Sequence, residues 1–210
     1  MMPCRGWTTV VVLCAVAVPS ARTQTEPDAQ ATDQPLTLEI RVFDGTDEVT
    51  SQTRVRVFKA GSRTDPQTLR ATSGAATAQV PVGFYDLQVV REREGAVAGI
   101  RWAEQRLVQR YPDAHGRHLE AVNLQPGYGA LQIRHQPSPA SDEITWRATI
   151  YRTGDATKEA GKSVKGDGYL LFVVPAGQHD VQILPAIGEP IWIRNIELPA
   201  DQTRLQTWKG

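Results

Sequence analysis

The sequence predicts an all-β protein built as two tandem antiparallel β-sandwich domains behind a signal peptide. Three observations carry that reading. Apolar and polar residues alternate with a period of two in short runs, as in Leu36, Leu38, Ile40 and Val42 against Thr37, Glu39 and Arg41. Turn-forming residues interrupt such runs about every 8–12 residues, the spacing of a sandwich rather than a helix bundle. The chain also repeats itself: Leu38-Glu39-Ile40-Arg41 returns as Leu131-Gln132-Ile133-Arg134, 93 residues further on.

Residues 1–21 have the anatomy of a secretory signal peptide. Arg5 supplies the positive start, residues 7–18 an apolar run, and Val18-Pro19-Ser20 the small residues before a cut. The run is shorter than the roughly 18 residues that a membrane-spanning helix needs. Cleavage there removes Cys4 and Cys14, the two cysteines of the chain. The exported protein is then expected to have no disulfide, no thiolate metal site and no cysteine nucleophile. Residues 22–35 contain no large apolar side chain and read as a disordered linker.

Two units follow, residues 36–127 and 128–210, parted at the turn signal Gln125-Pro126-Gly127. In the first, residues 36–42 form a half-buried strand that Asp44-Gly45 ends. The next strand sets Val55 and Val57 on one face and Arg54, Arg56 and Phe58 on the other. Its counterpart in the second unit places Trp146, Ala148 and Ile150 inward, with Arg147, Thr149 and Tyr151 outward. Further strands are expected over residues 169–174, 180–184, 191–198 and 203–208. Residues 101–110 contain good helix formers, and the match of Trp102 to Trp192 assigns them to a strand.

A third matched segment is Val80-Pro81-Val82-Gly83-Phe84-Tyr85-Asp86-Leu87-Gln88-Val89 with Val174-Pro175-Ala176-Gly177-Gln178-His179-Asp180-Val181-Gln182-Ile183. Proline ends one strand, because it cannot donate to the ladder. Glycine then allows the tight turn through positive φ. Tyr85 opens the next strand at the core edge, where its hydroxyl can reach a backbone carbonyl as in a tyrosine corner.

These turn and strand segments resemble small bacterial β-sandwich repeats of the carboxypeptidase-regulatory-like (transthyretin-like) and PEGA-type groups. The resemblance spans both units and implies Ig-like or transthyretin-like sandwiches in a non-catalytic accessory or surface module. The PEGA tetrapeptide itself is replaced by Pro81-Val82-Gly83-Phe84 and Pro175-Ala176-Gly177-Gln178.

The chemistry-bearing residues are sparse. The 23 basic and 23 acidic side chains cancel, which gives no footing for nucleic acid or an anionic membrane. Gly161-Lys162-Ser163 lacks the upstream glycine of a phosphate loop, since Ala156 stands there. His115, His118 and Glu120 are the best metal candidates, yet in a Gly/Arg-rich loop they read as solvated side chains, so no metal or cofactor is assigned. Asp47-Glu48 and Asp142-Glu143 read as turn charges without calcium-loop order. Trp102, Trp146 and Trp192 read as core and Trp208 as the freest ring.

Arginine beside an aromatic is an interface composition, so Arg54, Arg56, Phe58, Arg147 and Tyr151 are the candidate binding residues. These readings imply a non-catalytic exported module of the periplasm or cell surface. Its expected partner is an envelope or surface protein, and a carbohydrate-binding module is the alternative, with polysaccharide as ligand.

Overall fold

The computed structural model describes residues 34–72, 74–112, 114–136 and 144–209. The signal peptide, most of the linker and the Asp142-Glu143 pair lie outside the described residues. The first half contains β1 (Leu36–Asp44), β2 (Asp47–Glu48), β3 (Thr53–Lys59), β4 (Gln67–Arg70), β5 (Ala76–Val80), β6 (Gly83–Arg93), β7 (Ala96–Val108) and β8 (Arg117–Asn123). The second contains β9 (Tyr128–His135), β10 (Arg147–Arg152), β11 (Asp155–Gly161), β12 (Ser163–Gly166), β13 (Tyr169–Pro175), β14 (Gly177–Leu184), β15 (Ile191–Leu198) and β16 (Thr203–Trp208). Residues 101–108 are strand, inside β7.

Three strands of each central sheet pair in the same order, while β2 in the first half and β12, on the far edge of β13, in the second have no equivalents. β1 lies between β5 and β8, with β2 folded back on its end; β9 lies between β13 and β16. The facing sheets are β4-β3-β6-β7 and β11-β10-β14-β15. Pairing is antiparallel throughout except for one parallel pair in each half, β1 with β8 and β9 with β16. Among the named strands no pairing joins one half to the other.

The alternation seen in sequence builds two cores. Leu36, Leu38, Ile40 and Val42 meet Val55, Val57, Leu87 and Val89 in the first. Leu131, Ile133, Trp146 and Ile150 meet Phe172, Val181 and Ile183 in the second. Tyr85 is buried, and its hydroxyl donates to the Pro81 carbonyl at 2.9 Å, as the tyrosine-corner reading expects. Of the two turn glycines, Gly177 has positive φ (138°) whereas Gly83 does not.

The expectation of a half-buried first strand is corrected. A third apolar cluster joins Phe43, Leu119 and Ala121 of the first half to Ala130, Tyr169, Leu171 and Val173 of the second. The sheets containing β1 and β9 therefore pack face to face, and the protein is a stack of four sheets. Glu39 and Arg41, read from the sequence as the open side of β1, are 5% and 7% exposed. The reason is that the alternate face of β1 holds Phe43, and β8 adds Leu119 and Ala121 beside it, too much apolar area to leave in water.

Charge enclosed in this way must be met inside the protein. Arg41 Nε donates to Glu39 Oε1 at 3.0 Å and to the Tyr169 hydroxyl oxygen at 2.9 Å. Arg41 Nη1 reaches Glu48 Oε1 at 3.2 Å, and the Tyr169 hydroxyl donates to Glu39 Oε1. The guanidinium carbons of Arg41 and Arg134 lie 5.7 and 5.1 Å from the Tyr169 ring centroid. Gly166 admits that ring: a Cβ there would stand 2.0 Å from Tyr169 Cζ.

Burial, with the Glu39 charge beside it, pushes the Tyr169 hydroxyl well above the ordinary tyrosine range. The unfolded chain ionises this group near pH ~10 while the folded chain keeps its proton, so folding stability is full below that pH and falls above it. Denaturant titrations above pH ~10 are expected to show a loss approaching about 1.4 kcal/mol per pH unit, absent from Tyr169→Phe. At neutral pH the same variant is expected to unfold about 1–3 kcal/mol more easily, because Glu39 and Arg41 each lose a partner.

Candidate functional site

The two ends of the four-sheet stack present outward faces, one on β4-β3-β6-β7 and one on β11-β10-β14-β15. Strand alternation places Arg54, Arg56 and Phe58 on the first, opposite Val90, Gln88 and Asp86 of β6. Arg147, Thr149 and Tyr151 take the same places on the second, opposite Leu184, Gln182 and Asp180 of β14. The sequence-derived residues thus fall into two separate sets, one per face.

They are not equally open. Phe58 is 5% exposed, Tyr151 is half-buried and Arg147 is exposed. Phe58 is covered because Trp102 lies over it, with ring centroids 5.4 Å apart; Tyr151 and Trp192 stand 5.7 Å apart. Trp102 and Trp192 are therefore corrected from core to outer face, half-buried, in register with Gln88 and Gln182. Trp208, read as the freest ring, is buried instead and packs edge-on to Trp146 at 5.4 Å.

A guanidinium covers each outer tryptophan. Arg63 lies 4.3 Å from the Trp102 ring centroid and Arg194 lies 3.8 Å from that of Trp192. Both arginines are fixed by a buried aspartate. Arg63 Nη1 donates to Asp86 Oδ2 at 2.7 Å, and Arg194 Nη1 to Asp180 Oδ2 at 2.8 Å. The other oxygen of each aspartate accepts a backbone N–H from a bulge: Gln105 at 2.8 Å for Asp86, Asn195 at 2.9 Å for Asp180. Gln105 and Asn195 both have positive φ, 53° and 56°.

Burial opposes ionisation of Asp86, but the N–H groups of Gln105 and Gly61 together with Arg63 outweigh it and hold the carboxyl below the usual range. The Asn195 N–H, then Arg194 and Thr153, do the same for Asp180 against its burial. The arrangement fixes two guanidinium groups on aromatic faces.

The arginines reach these equivalent places from unrelated positions. Arg63 comes from the loop after β3 and also pairs with Glu104. Arg194 stands on β15 itself, where the first half has Glu104. Asp86 and Asp180 correspond in the sequence repeat, yet the repeat assigns them no role. An acid repeated inside an alternating apolar strand was the available signal.

In the first half the outer arginines of β3 are held by neighbours on β6. Arg54 pairs with Glu92 at 2.8 Å and Arg56 Nη1 donates to Gln88 Oε1 at 3.1 Å. Arg147 makes no ion pair among the described residues, and Arg194, 50% exposed, has Asp180 alone.

The metal candidates have another role. His118 and Glu120 share one face of β8, as expected, but they are 2% and 7% exposed rather than solvated. Their sheet face looks into the first sandwich. His118 Nε2 lies 3.1 Å from Glu120 Oε1, and Nδ1 lies 3.1 Å from the Gln109 carbonyl. His115 sits apart in an exposed turn. Among the described residues no group of three histidine, cysteine or acidic side chains could hold a metal ion.

No protein-family model matches the chain. No curated protein matches it either. Solved structures do. The chain is similar to the Bacillus anthracis TIE protein at 16% identity and a TM-score of 0.30, over 84% of this chain and 33% of that one. The match to a minor pilin of Streptococcus agalactiae has 10% identity and a TM-score of 0.27, covering 83% and 94%. A putative adhesin from Bacteroides ovatus has 9% identity and a TM-score of 0.31, covering 87% and 88%. The chain thus spans about a third of the Bacillus anthracis protein. The all-β assignment rests on the strand pairings above.

Phe58→Ala is expected to cost about 2–4 kcal/mol in a denaturant titration, since it empties a covered site. Tyr151→Ala is expected to cost less than half of that. Equal losses would place both rings in one kind of environment.

Proposed function

We propose that this is an exported, non-catalytic accessory module of the cell envelope, which binds another envelope or surface protein through an outer sheet face. One observation carries the reading: the same cluster of arginine on tryptophan on a second aromatic is built on both outer faces, with the arginine delivered from different positions. A fold that needed only a counter-charge for its aspartate would not need the tryptophan beneath it. Arginine and aromatic side chains held rigid at a surface are the composition of binding hot spots.

The second face is the better open site. Tyr151, Trp192, Arg194 and Arg147 stand there, and Arg147 is uncommitted among the described residues. In the first half Arg54, Arg56 and Phe58 are held by neighbours and serve as its counterpart. A sugar platform needs a bare aromatic face, whereas a guanidinium occupies one face of each outer tryptophan. That favours a protein over a polysaccharide partner. The matched proline-glycine turns support a place among carboxypeptidase-regulatory-like or PEGA-type sandwiches, with 36–127 and 128–210 as the two domains. Among the described residues no helix is long and apolar enough to cross a membrane.

Cross-linking capture from the native envelope, with the tagged protein as bait, tests the proposal. Arg147→Ala combined with Tyr151→Ala is expected to reduce capture at least about tenfold while leaving the cooperative melt in place. A double variant that captures as well as the parent overturns the site. Capture that a soluble glucan competes away favours the carbohydrate reading.

A further inference from the structure

Arg106 of β7 points into the rim of the first sandwich, in register with the buried Tyr85 of β6. It is half-buried, its Nε is enclosed, and among the described residues its guanidinium meets no hydrogen-bond acceptor and no acid. The other enclosed or half-enclosed arginines of the first half differ. Arg41, Arg54, Arg56, Arg91, Arg101 and Arg117 each reach a side-chain oxygen. A guanidinium cannot shed its charge, and holding it half out of water without an acceptor costs free energy.

The second half shows that the fold does not require this charge. The register that sets Arg106 opposite Tyr85 sets Ile196 opposite His179, directly after the corresponding positive-φ residue. Ile196 is 3% exposed and packs in the second core. An apolar residue closes that place in the second half, and an arginine stands in it in the first.

Arg106 opens onto the junction between the halves. It lines a narrow cleft there with Arg101, Ala121, Tyr128, Asp201 and Gln202. Arg101 and Asp201 pair at 2.8 Å and cancel, so Arg106 leaves the cleft with a positive charge in excess. The acids of the flanking strands are committed elsewhere, Glu104 to Arg63 and Glu120 to His118. The space takes a particle about the size of one water molecule. Sulfate, phosphate and sugars are too large for it, and a single-atom anion is the class that fits.

We propose that Arg106 binds a chloride ion in this cleft, between β7 of the first half and the turn before β16 of the second. The anion supplies the acceptor that Arg106 lacks and ties the halves at the margin of their contact, beside the Arg101–Asp201 pair. The inference goes beyond the proposed partner and uses none of the residues of that site.

Urea titrations at constant ionic strength test it, with sodium chloride exchanged stepwise for sodium gluconate. Chloride that binds the folded chain shifts the folding equilibrium by mass action. The folded-to-unfolded ratio of the parent is expected to rise at least about tenfold between no chloride and ~0.3 M chloride. Arg106→Ile, which copies the second half, is expected to fold and to lose that response. Arg106→Gln, which keeps a polar side chain without the charge, is expected to lose it too. General salt effects act on parent and variants alike, so the difference between them isolates the site. A parent whose stability ignores the exchange overturns the inference, as does a chloride response that either variant keeps. The assay contains no envelope protein, so its failure leaves the Arg147 and Tyr151 capture test untouched.

Discussion

The structure depends on one constraint: the sheets containing β1 and β9 are covered on both faces. Each forms one wall of its own sandwich and one wall of the junction between the halves. A strand in that position cannot leave its polar alternates to water. Glu39, Arg41, Tyr169 and Arg134 are therefore linked by hydrogen bonds and ring contacts. Breaking such a set by removing one member leaves an enclosed charge unmatched, which costs more than the set contributes when whole. The halves are joined by an apolar cluster and by this buried polar set. Arg101 with Asp201, and the Ala121 N–H donating to Thr203 Oγ1, add ties at its margin.

The duplication explains what could be read in advance. Period-two alternation placed β1, β3 and β10, and the matched proline-glycine turns placed β5, β6, β13 and β14. The alternation of Leu38 and Ile40 with Glu39 and Arg41 is the same whether the second face meets solvent or another sheet. Sequence alone therefore could not register the junction. The repeated Glu39-Ile40-Arg41 and Gln132-Ile133-Arg134 hinted at it, since both polar pairs turned out to be enclosed. Trp102 and Trp192 were misplaced for a related reason. A recurrent tryptophan suits a core, and only the bulges at Gln105 and Asn195, with Asp86 and Asp180 beneath, reveal an outer-face arrangement.

The two halves differ in how they treat that outer face. The first surrounds its arginines with Glu92 and Glu104 and keeps Phe84 and Leu107 apolar. The second leaves Arg147 unpaired among the described residues and turns the corresponding apolar pair into Gln178 and Glu197. The underlying frame is the same: aspartate, bulge, tryptophan, arginine. Such a frame separates what fixes the backbone from what meets the surroundings, so either can change while the other stays.

The parallel pairing of the first and last strands in each half bears on mechanical load. β1 and β8 run side by side in the same direction over seven matched positions, and β9 and β16 over six. Tension along the chain pulls the start of β1 and the end of β8 in opposite directions along the strand axes. The ladder between them is loaded in shear, with all its hydrogen bonds sharing the force, rather than unzipped one at a time from an end. The same holds in the second half. Each half thus meets a pull on its first and last strands with a whole ladder at once, which resists more force than a ladder peeled bond by bond.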